Sequence, residues 1–116
     1  MPSSEYSGAE PPLPMWAEAG LVLAAHGTDT EPVRAHAEAI AARRLFARVA
    51  FGLLRGAPSL EDAVAALGEC PLIYIVPFFM ADGHFVREVI PRRLGLTGSL
   101  TRSGNMEIAY CAPVGA

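Results

Sequence analysis

Apolar residues in this chain come in short blocks separated by polar or Gly/Pro breaks, and blocks of two kinds alternate. Leu21-Val22-Leu23-Ala24-Ala25 is continuous and runs into His26-Gly27, the pattern of a central parallel strand buried on both faces. Thr28, Asp29 and Thr30 offer capping groups and Pro32 suits a first turn, so a helix is predicted from there to Arg44. Its inward stripe would be Val33, Ala37, Ile40 and Ala41, with Arg34, Glu38 and Arg43 in water and His36 facing solvent. Val49–Leu54 reads as a second strand, broken by Arg55-Gly56-Ala57-Pro58. Ser59 caps a second helix, with Glu61 and Asp62 at the positive end of its dipole, Leu60, Val64 and Leu67 as its apolar face and Gly68 as its stop.

Leu72-Ile73-Tyr74-Ile75-Val76 is β-branched or aromatic at nearly every position and predicts the third strand, running into Pro77-Phe78-Phe79-Met80. Ala81-Asp82-Gly83-His84 makes a turn. A short helix follows from about Phe85, packing Val86, Val89 and Ile90 on the sheet, and Pro91 is expected to end or bend it. Thr97 to Asn105 reads as a loop, and Met106–Ala112 as the last strand. The order βαβαβαβ predicts a three-layer α/β sandwich: a mostly parallel four-stranded sheet with helices on both faces.

Composition narrows the chemistry. With 116 residues, 52% of them hydrophobic, the chain suffices for one domain, expected over 20–116, preceded by an arm over 1–19 whose first part is rich in Pro, Ser, Gly and Glu. A formal charge of −3 without a basic cluster argues against nucleic acid as a partner. All nine basic residues are Arg, which excludes Schiff-base chemistry on lysine. Cys70 and Cys111 lack metal or redox spacing and read as buried thiols. No apolar run reaches the roughly 20 residues of a membrane span, and the start lacks a signal-peptide pattern, so a cytoplasmic protein without membrane contact is expected.

Ligands of open parallel sheets bind beyond the carboxyl ends of the strands, where His26 and His84 both fall. Imidazole can bind a first-row divalent cation or accept a proton near neutral pH, so the pair suits metal handling. The competing readings are a His26 ring that bonds a loop carbonyl and a His84 that serves as a loop or cap residue. Gly27 and Gly83 allow either close approach of a ligand or the positive φ of a tight turn. Pro77, Phe78, Phe79 and Met80 could wall a flat ligand, although an apolar strand end is more often core, as expected for at least two of the four.

The segment Leu21 to Gly27, the segment Ala57-Pro58-Ser59-Leu60-Glu61-Asp62-Ala63 and, above all, the stretch from Val76 through Gly83-His84 to Pro91 resemble the sirohydrochlorin chelatases (CbiX/SirB-like, class II chelatases). The resemblance covers roughly Gly20 to Gly115. It implies a chelatase-like fold and an enzyme, a lyase of cobalamin or siroheme (porphyrin) biosynthesis, that inserts cobalt or ferrous iron into sirohydrochlorin or a related tetrapyrrole. It further implies His26 and His84 as metal ligands and proton acceptors, a macrocycle seat at Gly27, Phe78, Met80 and Gly83, no nucleotide, and a homodimer.

Two departures stand out. Members commonly carry Glu after the second-strand Phe, where this chain reads Phe51-Gly52-Leu53-Leu54, with Glu61, Asp62, Asp82 or Glu88 as the only substitutes weighed. The closing C-terminal helix of the family is also expected to be missing after Pro113-Val114-Gly115. Both favour an alternative, a metal- or tetrapyrrole-binding module without turnover. A histidine phosphatase also ends a strand in His-Gly, but such enzymes resemble one another in an Arg before the His, and here that residue is Ala25.

Overall fold

The computed structural model describes residues 18–114, so most of the expected arm over 1–19 lies outside the described residues. β1 (Gly20–Ala25), α1 (Glu31–Ala42), β2 (Arg48–Leu53), α2 (Leu60–Ala66) and β3 (Leu72–Pro77) alternate as the pattern predicts. A π-helical turn (Phe85–Val89) then continues into α3 (Ile90–Leu94), followed by β4 (Leu100–Ser103) and β5 (Met106–Tyr110).

The sheet order is β2-β1-β3-β5-β4, parallel except for the β4–β5 pair. β1 is thus flanked on both sides, which is why all six of its residues are buried. Its alternation feeds two cores. Leu21, Leu23 and Ala25 pack with Val33 and Ala37 of α1, whereas Val22 and Ala24 pack with Leu60, Ala63 and Leu67. Ile73, Ile75 and Ile108 join the second core, under Val86 and Ile90. The three-layer α/β sandwich stands.

Four details differ from expectation. The sheet has five strands, not four, because Leu100–Ser103 in the expected loop forms an antiparallel edge strand on β5 through the turn at Gly104 (φ 62). Its pattern is inverted: Leu100 is 56% exposed and Thr101 is buried, its Oγ1 accepting the Thr97 amide at 2.9 Å. Pro91 neither ends nor breaks its helix. The π turn closes with the Ile90 amide on the Phe85 carbonyl, a new α segment starts there, and Pro91 occupies its first turn, where no amide is required. The stripe of α1 is narrower than expected, with Ala41 exposed. Cys111 is half-buried rather than buried.

The α1 face is covered unevenly. Helix α1 lies over β1 and β2, and beside it an apolar groove of about 290 Å³ is lined by Leu21, Phe46, Tyr74, Val76 and Cys111. Among the described residues no helix is long and apolar enough to cross a membrane.

Candidate functional site

His26 follows β1 directly, and its backbone is fixed by the residues that follow β2. The Leu54 amide donates to the Ala25 carbonyl at 2.9 Å and the Arg55 amide to the His26 carbonyl at 3.0 Å. Gly27 stands at φ 112, and a Cβ there would lie 1.9 Å from the Arg55 carbonyl oxygen. Its glycine is therefore required by the turn and by the β2–α2 connection, not by approach of a ligand. Gly83 is the reverse case. Its φ lies outside the left-handed region and a Cβ would meet nothing within 4 Å, so the turn does not demand glycine there.

His84 is the first flanking residue of the π turn and makes no side-chain capping bond. Among the described residues neither the His26 nor the His84 ring has a hydrogen-bond partner, and His84 occupies the N-cap position without a side-chain bond. Both rings meet Phe85 instead. His26 stands edge-on to it, with centroids 4.8 Å apart and planes at 88°; His84 lies at 5.7 Å and 64°. Two imidazoles separated by 58 residues of sequence thus flank one aromatic ring at the carboxyl ends of neighbouring strands.

His26 borders two open clefts. One, of about 190 Å³, includes Thr28, Asp29, Phe78 and Phe79; the other, of about 280 Å³, includes Leu54, Arg55 and Phe85. Each is smaller than the roughly 300–1,000 Å³ of an enclosing small-molecule pocket, so a large flat ligand would lie across them and not inside either. A larger cleft, about 530 Å³ between Arg87, Leu96 and Tyr110, is lined by neither His26 nor His84.

The apolar stretch after β3 divides in an unforeseen way. Pro77 and Met80 are fully buried and Phe78 is 7% exposed, so Met80, expected to seat a ligand, is a core residue, and Phe78 reaches the cleft only at its rim. Phe79 is the exposed member, at 51%. Alternation along a strand would not single it out, because its φ of 56 takes it out of the strand conformation. Phe85, 43% exposed between the histidines, was equally hidden in a helix pattern.

Three of the four acidic substitutes, Asp82, Glu61 and Glu88, are engaged elsewhere. Arg87 donates to both Asp82 oxygens, at 3.1 and 3.0 Å, and through those bonds holds the Asp82 carboxyl below its usual range. Arg93 does the same for Glu61 while also donating to the Leu54 carbonyl at 2.8 Å. Glu88 pairs with Arg92 at 3.6 Å. Among the described residues no three His, Cys, Asp or Glu side chains gather as a metal cage. Asp29, read only as a capping residue, is the carboxylate that shares a cleft with His26. At Gly52 the glycine is structural: a Cβ would come 2.7 Å from Leu60 Cα and 3.0 Å from Ala63 Cβ. Burial raises the Cys70 and Cys111 thiols, so neither is an activated nucleophile.

Comparison with known proteins adds three findings. The CbiX family model matches residues 20–116. A protein of Halobacterium salinarum named a probable sirohydrochlorin cobaltochelatase is 33% identical over 81 residues, which is 66% of this chain and 27% of that protein. A solved structure from Deinococcus radiodurans, described as a multi-domain protein with structural similarity to chelatases and two additional novel domains, superposes with a TM-score of 0.73. The superposition has 23% identity over 82% of this chain and 25% of that one, and supports the fold. The chain spans about a quarter of the length of each of these relatives.

Proposed function

Because the chain belongs to the CbiX family, we propose that its domain over 20–116 inserts a divalent metal, cobalt or ferrous iron, into sirohydrochlorin or a close tetrapyrrole relative. The observation that carries this is the pair of imidazoles, His26 and His84, set around Phe85 at the strand ends with no hydrogen bond to either ring among the described residues. Entry of M²⁺ into the macrocycle releases two pyrrole N–H protons, so the site must both present the ion and remove protons. Imidazole nitrogens do either. Two nitrogen ligands, with Asp29 on the same cleft as His26, hold a cation loosely enough to pass it on, unlike a closed four-ligand cage. The reading includes action in the cytoplasm without a nucleotide, and a homodimer that buries the groove at Tyr74 and Val76. Light scattering is expected to give a dimer; a monodisperse monomer at high concentration would remove that part.

One observation favours a second reading, a carrier that binds metal or tetrapyrrole without turnover: Gly52 has neither a carboxylate nor space for one. Anaerobic absorbance with sirohydrochlorin and Co²⁺ or Fe²⁺ separates the two. Insertion faster than the no-protein control, and lost in His26→Ala and His84→Ala, is the expected result. A spectral shift without faster insertion selects the carrier, and no binding at all rejects both.

A further inference from the structure

Phe79 combines two unfavourable features that the fold does not explain. Its φ of 56 lies in the left-handed region, which costs an L-residue with a bulky side chain, and about half of the residue is exposed. Both are held in place. The Phe79 amide donates to the Val114 carbonyl at 2.8 Å and the Val114 amide to the Pro77 carbonyl at 3.0 Å, bracketing Phe78.

The ring cannot fold back into the core because its rear is occupied. Phe78 lies behind it, with centroids 4.3 Å apart and planes at 40°, and His36 stands edge-on at 6.1 Å. His36 is itself fixed: its Nδ1 lies 2.9 Å from the Pro32 carbonyl, which can only accept, so that nitrogen donates. The front of Phe79 faces the cleft that it shares with His26. A rigid, backed, half-exposed aromatic ring beside a metal-handling imidazole matches one kind of ligand, a flat conjugated macrocycle. Strain of this kind concentrates at functional sites.

We propose that Phe79 is the platform on which the tetrapyrrole stacks, placing the macrocycle against His26. This rests on the chelatase reading and adds a binding residue to it. The test titrates metal-free sirohydrochlorin by absorbance against wild type, Phe79→Leu and Phe79→Tyr, with circular dichroism confirming that each is folded. Leu keeps apolar bulk against Phe78 but has no π face, and Tyr keeps the face. Phe79→Leu should bind about tenfold more weakly, since stacking and its burial are worth roughly one decade, and should raise KM with little change in kcat. Phe79→Tyr should match wild type. Should the Leu variant misfold, Phe79→Trp decides: its emission is expected to be quenched on titration beyond that of wild type. Equal binding by Phe79→Leu, a loss that Phe79→Tyr shares, or no added quenching in Phe79→Trp overturns the platform. Failure of wild type to bind sirohydrochlorin overturns the chelatase reading with it, so the two failures are distinct.

Discussion

Gly52 decides whether a carboxylate could ever stand on the second strand, and the contact can be measured through stability. In Gly52→Ala the new Cβ would lie 2.7 Å from Leu60 Cα, 3.0 Å from Ala63 Cβ and 3.1 Å from the Ser59 carbonyl oxygen. Two of these neighbours are backbone atoms in the first turn of α2, so relief requires the helix to retreat from the sheet by about 0.7 Å to reach ordinary contact near 3.4 Å. Overpacking of this size costs about 1–3 kcal/mol. Replacing a strand glycine returns about 0.5–1 kcal/mol through the unfolded chain. The net loss, centred on about 1 kcal/mol and no larger than about 2.5 kcal/mol, corresponds to a fall in melting temperature of roughly 5–10 °C for a domain near 100 residues. Gly52→Glu should fall further, since its carboxylate would meet the same backbone and lose its hydration. Gly83→Ala, with nothing within 4 Å, is the control and should melt with wild type. Thermal unfolding followed by circular dichroism measures all three. If Gly52→Ala melts at or above wild type, the steric account of the missing carboxylate is wrong.

Two pH effects follow from the side-chain partners. Burial first, and the Asp82 charge second, push the Tyr110 phenol up to about 12 from 10.0, and its hydroxyl donates to the Val86 carbonyl at 2.5 Å. The unfolded chain loses that proton first, so stability should fall as pH rises from about 10 to about 12. Urea titrations at pH 9 and 11 should show this limb in wild type and not in Tyr110→Phe, which is less stable at neutral pH by about 1 kcal/mol for the lost hydrogen bond. Hydrogen bonding to Arg93 lowers the Glu61 carboxyl, so its contribution is present above the ordinary carboxylate range and is lost as pH falls through the lowered value. Because Glu61 is half exposed, Glu61→Gln should cost only about 0.5–1 kcal/mol at neutral pH, and the difference should vanish in strong acid; a gap that persists there would contradict the ion-pair assignment.

Elements with a strong apolar period were legible in the sequence, and those shaped by tertiary contact were not. β1 and β3 stand out because both faces of each are buried, and the Ser59 cap is a local bond, from the Asp62 amide to Ser59 Oγ at 3.1 Å. β4 was hidden because an edge strand needs no apolar alternation, and its residues carry little of one. The place of His26 was visible through strand topology, since it directly follows β1 and so stands at the carboxyl end of the sheet, whereas His84 lies seven residues beyond β3 and is brought to Phe85 by the turn before the π helix. Phe79 and Met80 were indistinguishable in sequence. Only the backbone turn at Phe79 sends one ring outward and leaves its neighbour in the core. Asp29 was hidden by its resemblance to a capping residue, although the N-cap Thr30 makes no side-chain bond and the Asp29 contact to the Glu31 amide is long, at 3.4 Å.

The two amides that clamp the Ala25 and His26 carbonyls tie the first histidine to the β2 side of the sheet. His26 rides on backbone bonded to the segment that follows β2, so its main chain opens only when the β1–β2 pairing opens, and the Arg55 amide should exchange with deuterium as slowly as those of the strands. His84 stands outside the sheet at the head of a π turn. Its turn is held by its own bonds, the Gly83 amide on the Ala81 carbonyl, the Arg87 amide on the Gly83 carbonyl and the Arg87–Asp82 pair, so the two rings are carried by segments that open independently.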